Sequence, residues 1–335
     1  MRVPPFRVLP FHELPAEELN LWRSVRAGNP ALDSPYFHPG FAAAVHASGR
    51  PVRVAVGEDV LMAGHLIGST LRPVGWPGAD FQGPLLPPGT AFDPVRLLGK
   101  GVTGFAFDHL VDGLPGFDRW TATRRASPYL DVSGGMDGYL GRASKAGKEN
   151  MGQARRRAAK AGRELGEVRF AADSLDEGAL ARVIELKRAQ YAATGARDYF
   201  AEPDRTDLLK LLLHTREPDF AGILSTLHAG PHLLAAHFGM RAGGVLHWWF
   251  PVYDPAHAKL APGWILLREL VLAAPSLGIE RIDLGRGDDE YKRRAKTGET
   301  TVGQGLVTRN PVRRAARAAL ERARPTLSRV KRRLT

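Results

Sequence analysis

The sequence predicts an α/β fold of the α+β kind, in two similar halves, each a mostly antiparallel mixed sheet flanked by helices. Three observations predict it. The chain has 335 residues, 44% of them hydrophobic and 24% charged, which is enough for two ordinary domains with a core in each. Its second half reads helix, helix, antiparallel meander, helix, strand. An eight-residue stretch of the first half, Leu61-Met-Ala-Gly-His65-Leu-Ile-Gly68, is echoed by Leu233-Leu-Ala-Ala-His237-Phe-Gly-Met240, and both fall in the second strand of a meander.

The first half spans residues 1–135. Helices are expected at 15–27 and 39–47, and alternating strands at 52–56 and 61–69 around the turn Gly57-Glu-Asp59. The Gly- and Pro-rich stretch 73–88 reads as a long loop. Short signals follow up to a strand at 128–132, and Ser133-Gly-Gly135 reads as a linker. The second half spans 136–308. It opens with one basic helix over 139–165, whose small and apolar residues recur every three or four positions. Ser174-Leu-Asp-Glu177 matches a capping box for a helix that Gly195 stops. A further helix runs from Asp204 to about Arg216. Strands at 222–228, 233–241 and 245–253 are separated by Gly230-Pro231 and Gly243-Gly244. A helix at 262–274 and a strand at 279–284 complete the order. Residues 309–335 form a basic helical tail, interrupted at Pro325.

Composition narrows the function. There is no cysteine, which removes disulfides, thiolate metal sites and cysteine nucleophiles and fits a cytoplasmic chain. The N-terminal Met1-Arg-Val-Pro-Pro5 has no apolar leader, and no apolar run approaches the ~20 residues of a membrane span. The net charge is +12. Residues 309–335 hold ten Lys and Arg against Glu321 alone, and residues 142–169 hold nine against three Glu, so the rest of the chain is mildly acidic. Such segments either contact polyanions (cofactor phosphates, nucleic acid, an anionic membrane surface) or are a solvated helix face and a solubilising tail.

Two stretches carry chemistry. After the strand ending at Tyr253, a loop containing Lys259 leads to Pro262-Gly263 and a helix. Pro suits a first helical turn, Gly263 leaves room for a ligand, and the free amides and dipole of a helix start attract anions such as a pyrophosphate. In the second stretch, Ile282-Asp-Leu-Gly-Arg286 is followed by three acids and Tyr291-Lys292. Asp283 alternates with apolar neighbours at a strand end, so it either faces a site or pairs with Arg281 or Arg286. Arg286, Tyr291 and Lys292 either bind an anionic acceptor or cofactor phosphates, or are surface groups.

These stretches, with Ser34-Pro-Tyr-Phe-His-Pro39, Ala79-Asp-Phe-Gln-Gly-Pro-Leu85 and the Arg155-Arg-Arg157 helix, resemble the GNAT acyltransferases of the CelD/BcsL group, described as involved in cellulose biosynthesis and similar to FemAB-like transferases. The resemblance covers residues 5–308. It implies tandem GNAT-like folds with acetyl-CoA or another acyl-CoA as co-substrate. Pantetheine would lie against the strand holding Trp249 and Tyr253, and pyrophosphate against Lys259, Pro262, Gly263 and Trp264. Only Gly263 remains of the superfamily's glycine signature.

Acyl transfer needs a deprotonated acceptor, a polarised carbonyl and a leaving thiolate. His237, His247, Asp283 and Asp80 are the candidate bases, although a strand histidine also serves simply as a packed residue. The aromatic run at 248–250 serves mainly as core. No metal-ligand spacing is present, and no metal is expected. The expected activity is N- or O-acyl transfer to a sugar, polysaccharide precursor or small amine or hydroxyl acceptor. A FemAB-like aminoacyl transfer from charged tRNA and a non-catalytic scaffold are the alternatives. The basic tail makes a peripheral position at the inner membrane face a third expectation.

Overall fold

In a computed structural model, which describes residues 6–99 and 101–331, the chain order begins β1 (Arg7–Pro10), α1 (Ala16–Gly28), α2 (Pro39–Ala47), β2 (Arg53–Val56), β3 (Leu61–Ile67), β4 (Thr70–Pro73), β5 (Gly104–Val111) and β6 (Thr121–Asp131). It continues with α3 (Gly135–Arg142), α4 (Lys145–Leu165), β7 (Val168–Ala171), α5 (Glu177–Thr194), α6 (Pro203–His214), β8 (Arg216–Glu217), β9 (Phe220–Ala229), β10 (His232–Ala242) and β11 (Val245–Tyr253). Last come α7 (Pro262–Ala273), β12 (Arg281–Asp283), α8 (Glu290–Ala295), β13 (Gly298–Val307) and α9 (Pro311–Lys331). The leaderless N-terminus expected at residues 1–5 and the last residues of the tail, 332–335, lie outside the described residues.

Contacts divide the chain into two units, residues 1–126 with 301–335, and residues 127–300. In the first, β1–β2, β2–β3 and β3–β4 are antiparallel, β4–β5 is parallel, and β5 pairs antiparallel with β13. In the second, β7–β9, β9–β10 and β10–β11 are antiparallel, β11–β12 is parallel, and β12 pairs antiparallel with β6. The same sequence of pairings therefore occurs twice, and His65 and His237 sit in the middle strands of their meanders, as the internal echo implies. The last strand of each unit comes from the far side of the sequence. For that reason the first unit reaches beyond residue 300, and a division at 135 drawn from local signals does not coincide with it. The fold class is the expected one: mixed α/β, with mostly antiparallel mixed sheets flanked by helices.

The units differ where it matters for a ligand. Between β11 and β12 the second unit has α7. Between β4 and β5, among the described residues, the first unit has turns, isolated β-bridges at Gln82, at Leu85 and between Gly99 and Val102, and one short 3-10 segment, Pro94–Leu97, but no α-helix.

Local chemistry explains most element boundaries. Pro39 opens α2, and His38 Nδ1 accepts from the Gly40 amide 3.0 Å away. Gly195 ends α5 in the left-handed conformation at φ 63°. Three expectations need correction. The cap of α5 is Asp176, whose Oδ1 accepts from Gly178 (2.8 Å) and Ala179 (3.1 Å), while Ser174 accepts only from Asp176 N. A carboxylate one residue before the helix reaches the free amides directly, so the capping box is not used. The helix expected over 139–165 is two helices, because Ala143 is extended (ψ 147°) and Ser144 caps α4 by accepting from Gly147 N. Helix α9 runs through Pro325 to Lys331 rather than stopping there. Strand β13 was not anticipated.

In the second unit the core lies between the sheet and α4 and α7. It gathers Met151, Ala154, Leu246, Trp248, Ile265, Leu266, Leu270, Ile282 and Leu284, among others. Helix α5 packs on the other face of β10 and β11.

Candidate functional site

The parallel pairing of β11 with β12 is short. Val245 faces Arg281, Leu246 faces Ile282 and His247 faces Asp283, and there the register ends among the described residues. Strand β11 continues to Tyr253, whereas β12 stops at Asp283. Where one of two parallel strands stops, the other keeps amides and carbonyls on that edge without a ladder partner from it.

A β-bulge coincides with the parting. Phe238 pairs with Phe250 and Met240 with His247, so β11 carries one residue more than β10 over this stretch. A bulge takes one residue out of the ladder and re-aims its neighbours. Gly239 lies opposite it. A Cβ at that position would collide with the carbonyl oxygen of His247 and crowd the His237 ring.

Alternation sorts the side chains. Leu246, Trp248, Ile282 and Leu284 belong to the core against α4 and α7, so His247 and Asp283 project to the opposite face, as neighbours in register. Strands ~4.8 Å apart place them side by side. Both are buried, His247 at 0% and Asp283 at 4% exposure. The Asp283 carboxylate receives a fork from Arg281, with Nε 3.0 Å from Oδ1 and Nη2 3.4 Å from Oδ2. The same guanidinium lies 5.8 Å from the centroid of Tyr129, which faces Asp283 in register from β6. Of the two partners weighed for Asp283, the structure shows an ion pair with Arg281. Tyr129 escaped the sequence reading, because its neighbours in the sheet are more than a hundred residues away and no local pattern marks it.

His237 does not face the His247 imidazole. Its ring stacks on Trp248 (4.1 Å between centroids, 10° between planes), and its Nε2 lies 3.4 Å from the His247 carbonyl oxygen. It is wholly buried, and Nδ1 has no hydrogen-bond partner. Burial pushes its pKa down to about 3, an effect that the His247 carbonyl opposes and the charge of His247 reinforces. The ring is therefore neutral across the physiological range.

Asp80 belongs to the first unit. Its Oδ1 lies 3.4 Å from His109 Nε2, and Asp108 approaches the other ring nitrogen at 3.2 Å. Gln82, from the same sequence motif, accepts from the Asp108 and His109 amides and donates to Ala79 O and Asp108. That motif thus ties a loop to β5. In the motif at 34–39, Tyr36 packs 6.4 Å from Phe81 and His38 caps α2.

Helix α7 begins after the 3-10 segment Pro255–Leu260, which Asp254 caps by accepting from Ala256 N. Ala261 takes the left-handed conformation (φ 46°, ψ 56°), and Pro262 is the first helical residue. No side chain caps this end. The Trp264 amide bonds to Ala261 O, and Pro262 has no N–H, so the Gly263 amide is the remaining donor of the first three. A Cβ on Gly263 would meet nothing within 4 Å. Lys259 is exposed, and His257 and His232 lie 5.2 Å apart beside it in the chain fold. Tyr253 is 47% exposed, whereas Trp249 is buried against Phe250 and Tyr199. Trp264 packs partly on the core.

Of the expected acceptor-binding group, Lys292 is 8% exposed and donates to Gly285 O (3.2 Å) and Arg286 O (3.1 Å). It fastens the turn that follows β12, and Asp289 Oδ2 lies 3.8 Å from its ammonium. Arg286 and Tyr291 are half-buried on either side of that turn.

The geometry can be set beside known proteins. A family model described as "Acetyltransferase (GNAT) domain" matches residues 149–293, within the second unit. Among curated proteins, no sequence matches the chain. Among solved structures, the chain is similar to the C-terminal domain of a putative lysylphosphatidylglycerol synthetase from Agrobacterium fabrum (13% identity, 93% of this chain and 96% of that one, TM-score 0.54). It is similar also to FemX (10% identity, 90% and 96%, TM-score 0.55) and to L-PGS from Bacillus licheniformis (13% identity, 95% and 96%, TM-score 0.51). At these identities the shared property is the fold.

Proposed function

We propose that the chain is an acyl-CoA-dependent acyltransferase whose donor site is the edge of β11 beyond its pairing with β12, together with the first turn of α7. The observation that carries this reading is the end of parallel pairing at His247 and Asp283, next to a β-bulge, in the unit that has a helix where its counterpart has a loop. The GNAT-domain match over residues 149–293 agrees with it.

An acyl-CoA presents a flexible amide-containing arm and a pyrophosphate. The arm needs backbone donors and acceptors without ladder partners, which strand β11 offers beyond the end of its pairing with β12. The pyrophosphate needs an uncapped helix start with space, which Pro262, Gly263 and the exposed Lys259 supply. The acceptor amine or hydroxyl attacks the thioester carbon, the carbonyl oxygen gains negative charge, and the C–S bond breaks as the thiolate takes a proton to become free CoA. A neutral amine gives up its proton after attack, and water can carry it away. His247 and Asp283 are assigned to positioning: buried side by side, with Asp283 clamped by Arg281, they hold the point at which the strands part. Arg286 and Tyr291 are the groups offered to the acceptor, a sugar, polysaccharide precursor or small amine or hydroxyl compound.

The test is thermal stability with acetyl-CoA, longer acyl-CoAs and free CoA. Ligand at ~100 times its dissociation constant adds about 2.7 kcal/mol to the native state, or roughly 5–10 °C for units of this size. The rise should vanish in Gly263→Glu, which puts a carboxylate into the space at the helix start. If the wild type shows no rise with any CoA at millimolar concentration, the reading fails, and charged tRNA is the next donor to try.

A further inference from the structure

The C-terminal helix α9 is docked on the first unit by its charged side. Arg313 donates to Thr103 Oγ1 (2.8 Å) and Thr70 Oγ1 (3.2 Å). Arg314 lies 5.4 Å from the Trp120 ring centroid. Arg317 pairs with Glu321 at 2.7 Å, and Glu321 is fully buried. At ~100° per residue, positions 313, 317 and 321 share one side of the helix.

The apolar side faces out. Val312 is 74% exposed and Leu320 63%, and Ala315, Ala316, Ala319 and Ala323 are exposed with them. A helix held only by its own protein does the reverse, turning its apolar stripe to the core and its charges to water. Beside the start of α9, the hairpin joining β3 to β4 exposes Leu66 (44%) and Ile67 (50%), next to the Thr70 that Arg313 grips. Apolar side chains left in water on neighbouring elements mark a contact surface.

Charge identifies what covers it. Arg314 and Arg322 are exposed along the helix, and residues 309–335 carry ten cationic groups against one acid. A shallow apolar stripe edged by arginines suits a surface apolar below and anionic above, which is the interface of a bilayer containing acidic lipids. We infer that α9 and the β3–β4 hairpin tip form a docking surface that lays the first unit on an anionic membrane. Among the described residues no helix is long and apolar enough to cross a membrane, so the attachment lies in the interface. This inference is independent of the donor site.

The experiment is co-sedimentation of the full chain with phosphatidylcholine vesicles, with and without phosphatidylglycerol at about three parts in ten. The wild type should pellet with the mixed vesicles and stay in solution with the neutral ones. The double variant Val312→Ser/Leu320→Ser keeps every charge and touches only exposed side chains, yet its binding should fall by roughly tenfold or more. Arg155→Gln/Arg156→Gln, on the exposed side of α4, should bind within about twofold of wild type, because the docking surface is local and not a matter of net charge. Wild-type protein that stays in solution with mixed vesicles would overturn the inference, as would a serine variant that binds undiminished. So would a wild-type dimer that the serine variant converts to monomer while vesicle binding is absent, since the face would then belong to a second copy.

Discussion

Removing the titrating group at His237 should remove a defined part of the acid sensitivity of this protein. The imidazole is wholly buried, stacked on Trp248, and has its pKa pushed from 6.5 down to about 3. In the unfolded chain it takes up a proton near pH 6.5, while in the folded chain it stays neutral until about pH 3. Between these values the unfolded state binds more protons, so stability rises with pH and falls as the solution is acidified. Each pH unit in this window is worth about 1.4 kcal/mol, so lowering the pH from 7 to 5 costs about 2 kcal/mol through this residue alone. His237→Phe keeps an aromatic ring against Trp248 but cannot titrate. The assay is urea unfolding of wild type and variant at pH 7 and pH 5. The wild type should lose about 2 kcal/mol more than the variant, whatever their difference at pH 7, because the other titrating groups are common to both. A difference between the two losses below about 0.5 kcal/mol would show that the imidazole finds a proton-stabilising partner in the folded state, and the burial argument would be wrong.

Two further outcomes follow from local geometry. Asp176→Ala should destabilise the second unit by about 1 kcal/mol, and Ser174→Ala by clearly less, since Asp176 alone accepts from the first amides of α5; equal losses in chemical denaturation would restore the capping box. Gly239→Ala forces a methyl against the His247 carbonyl, which is backbone and cannot rotate away, so the denaturation midpoint should drop by the equivalent of about 1–3 kcal/mol, and a neutral result would mean that the bulge in β11 relaxes freely.

What could be read from the chain was what local physics encodes. Strand β11 at 245–253 and α2 at 39–47 are legible to the bounds the structure shows, because alternation, Pro at a helix start and glycine turns act over a few residues. The start of α7 at Pro262 was legible for the same reason, and with it the helix end at which the donor phosphates are proposed to bind. Strand β13 was not legible. Three glycines, Gly298, Gly303 and Gly305, weaken any local strand pattern, and the segment becomes a strand because β5 pairs with it, nearly two hundred residues earlier in the chain.

The candidate site divides in the same way. Asp283 at a strand end was visible from alternation. Its place beside His247, its grip by Arg281 and its neighbour Tyr129 depend on which strands lie next to β12, and that is settled by sheet pairing across the chain. Lys292 reads from the sequence as either a ligand group or a surface charge, and its hold on the turn at Gly285 and Arg286 shows only in the fold. The basic tail could be read as amphipathic, but not which side would face out. A helical period shows that two faces exist; only packing shows which one the protein keeps, and in α9 it keeps the charged one. The sequence by itself therefore determined the elements, the repeated meander and the charge of its segments. Tertiary structure alone decided strand partners, the parting of β11 from β12 and the direction of each face, because those depend on contacts between residues far apart in the chain, which no local pattern records.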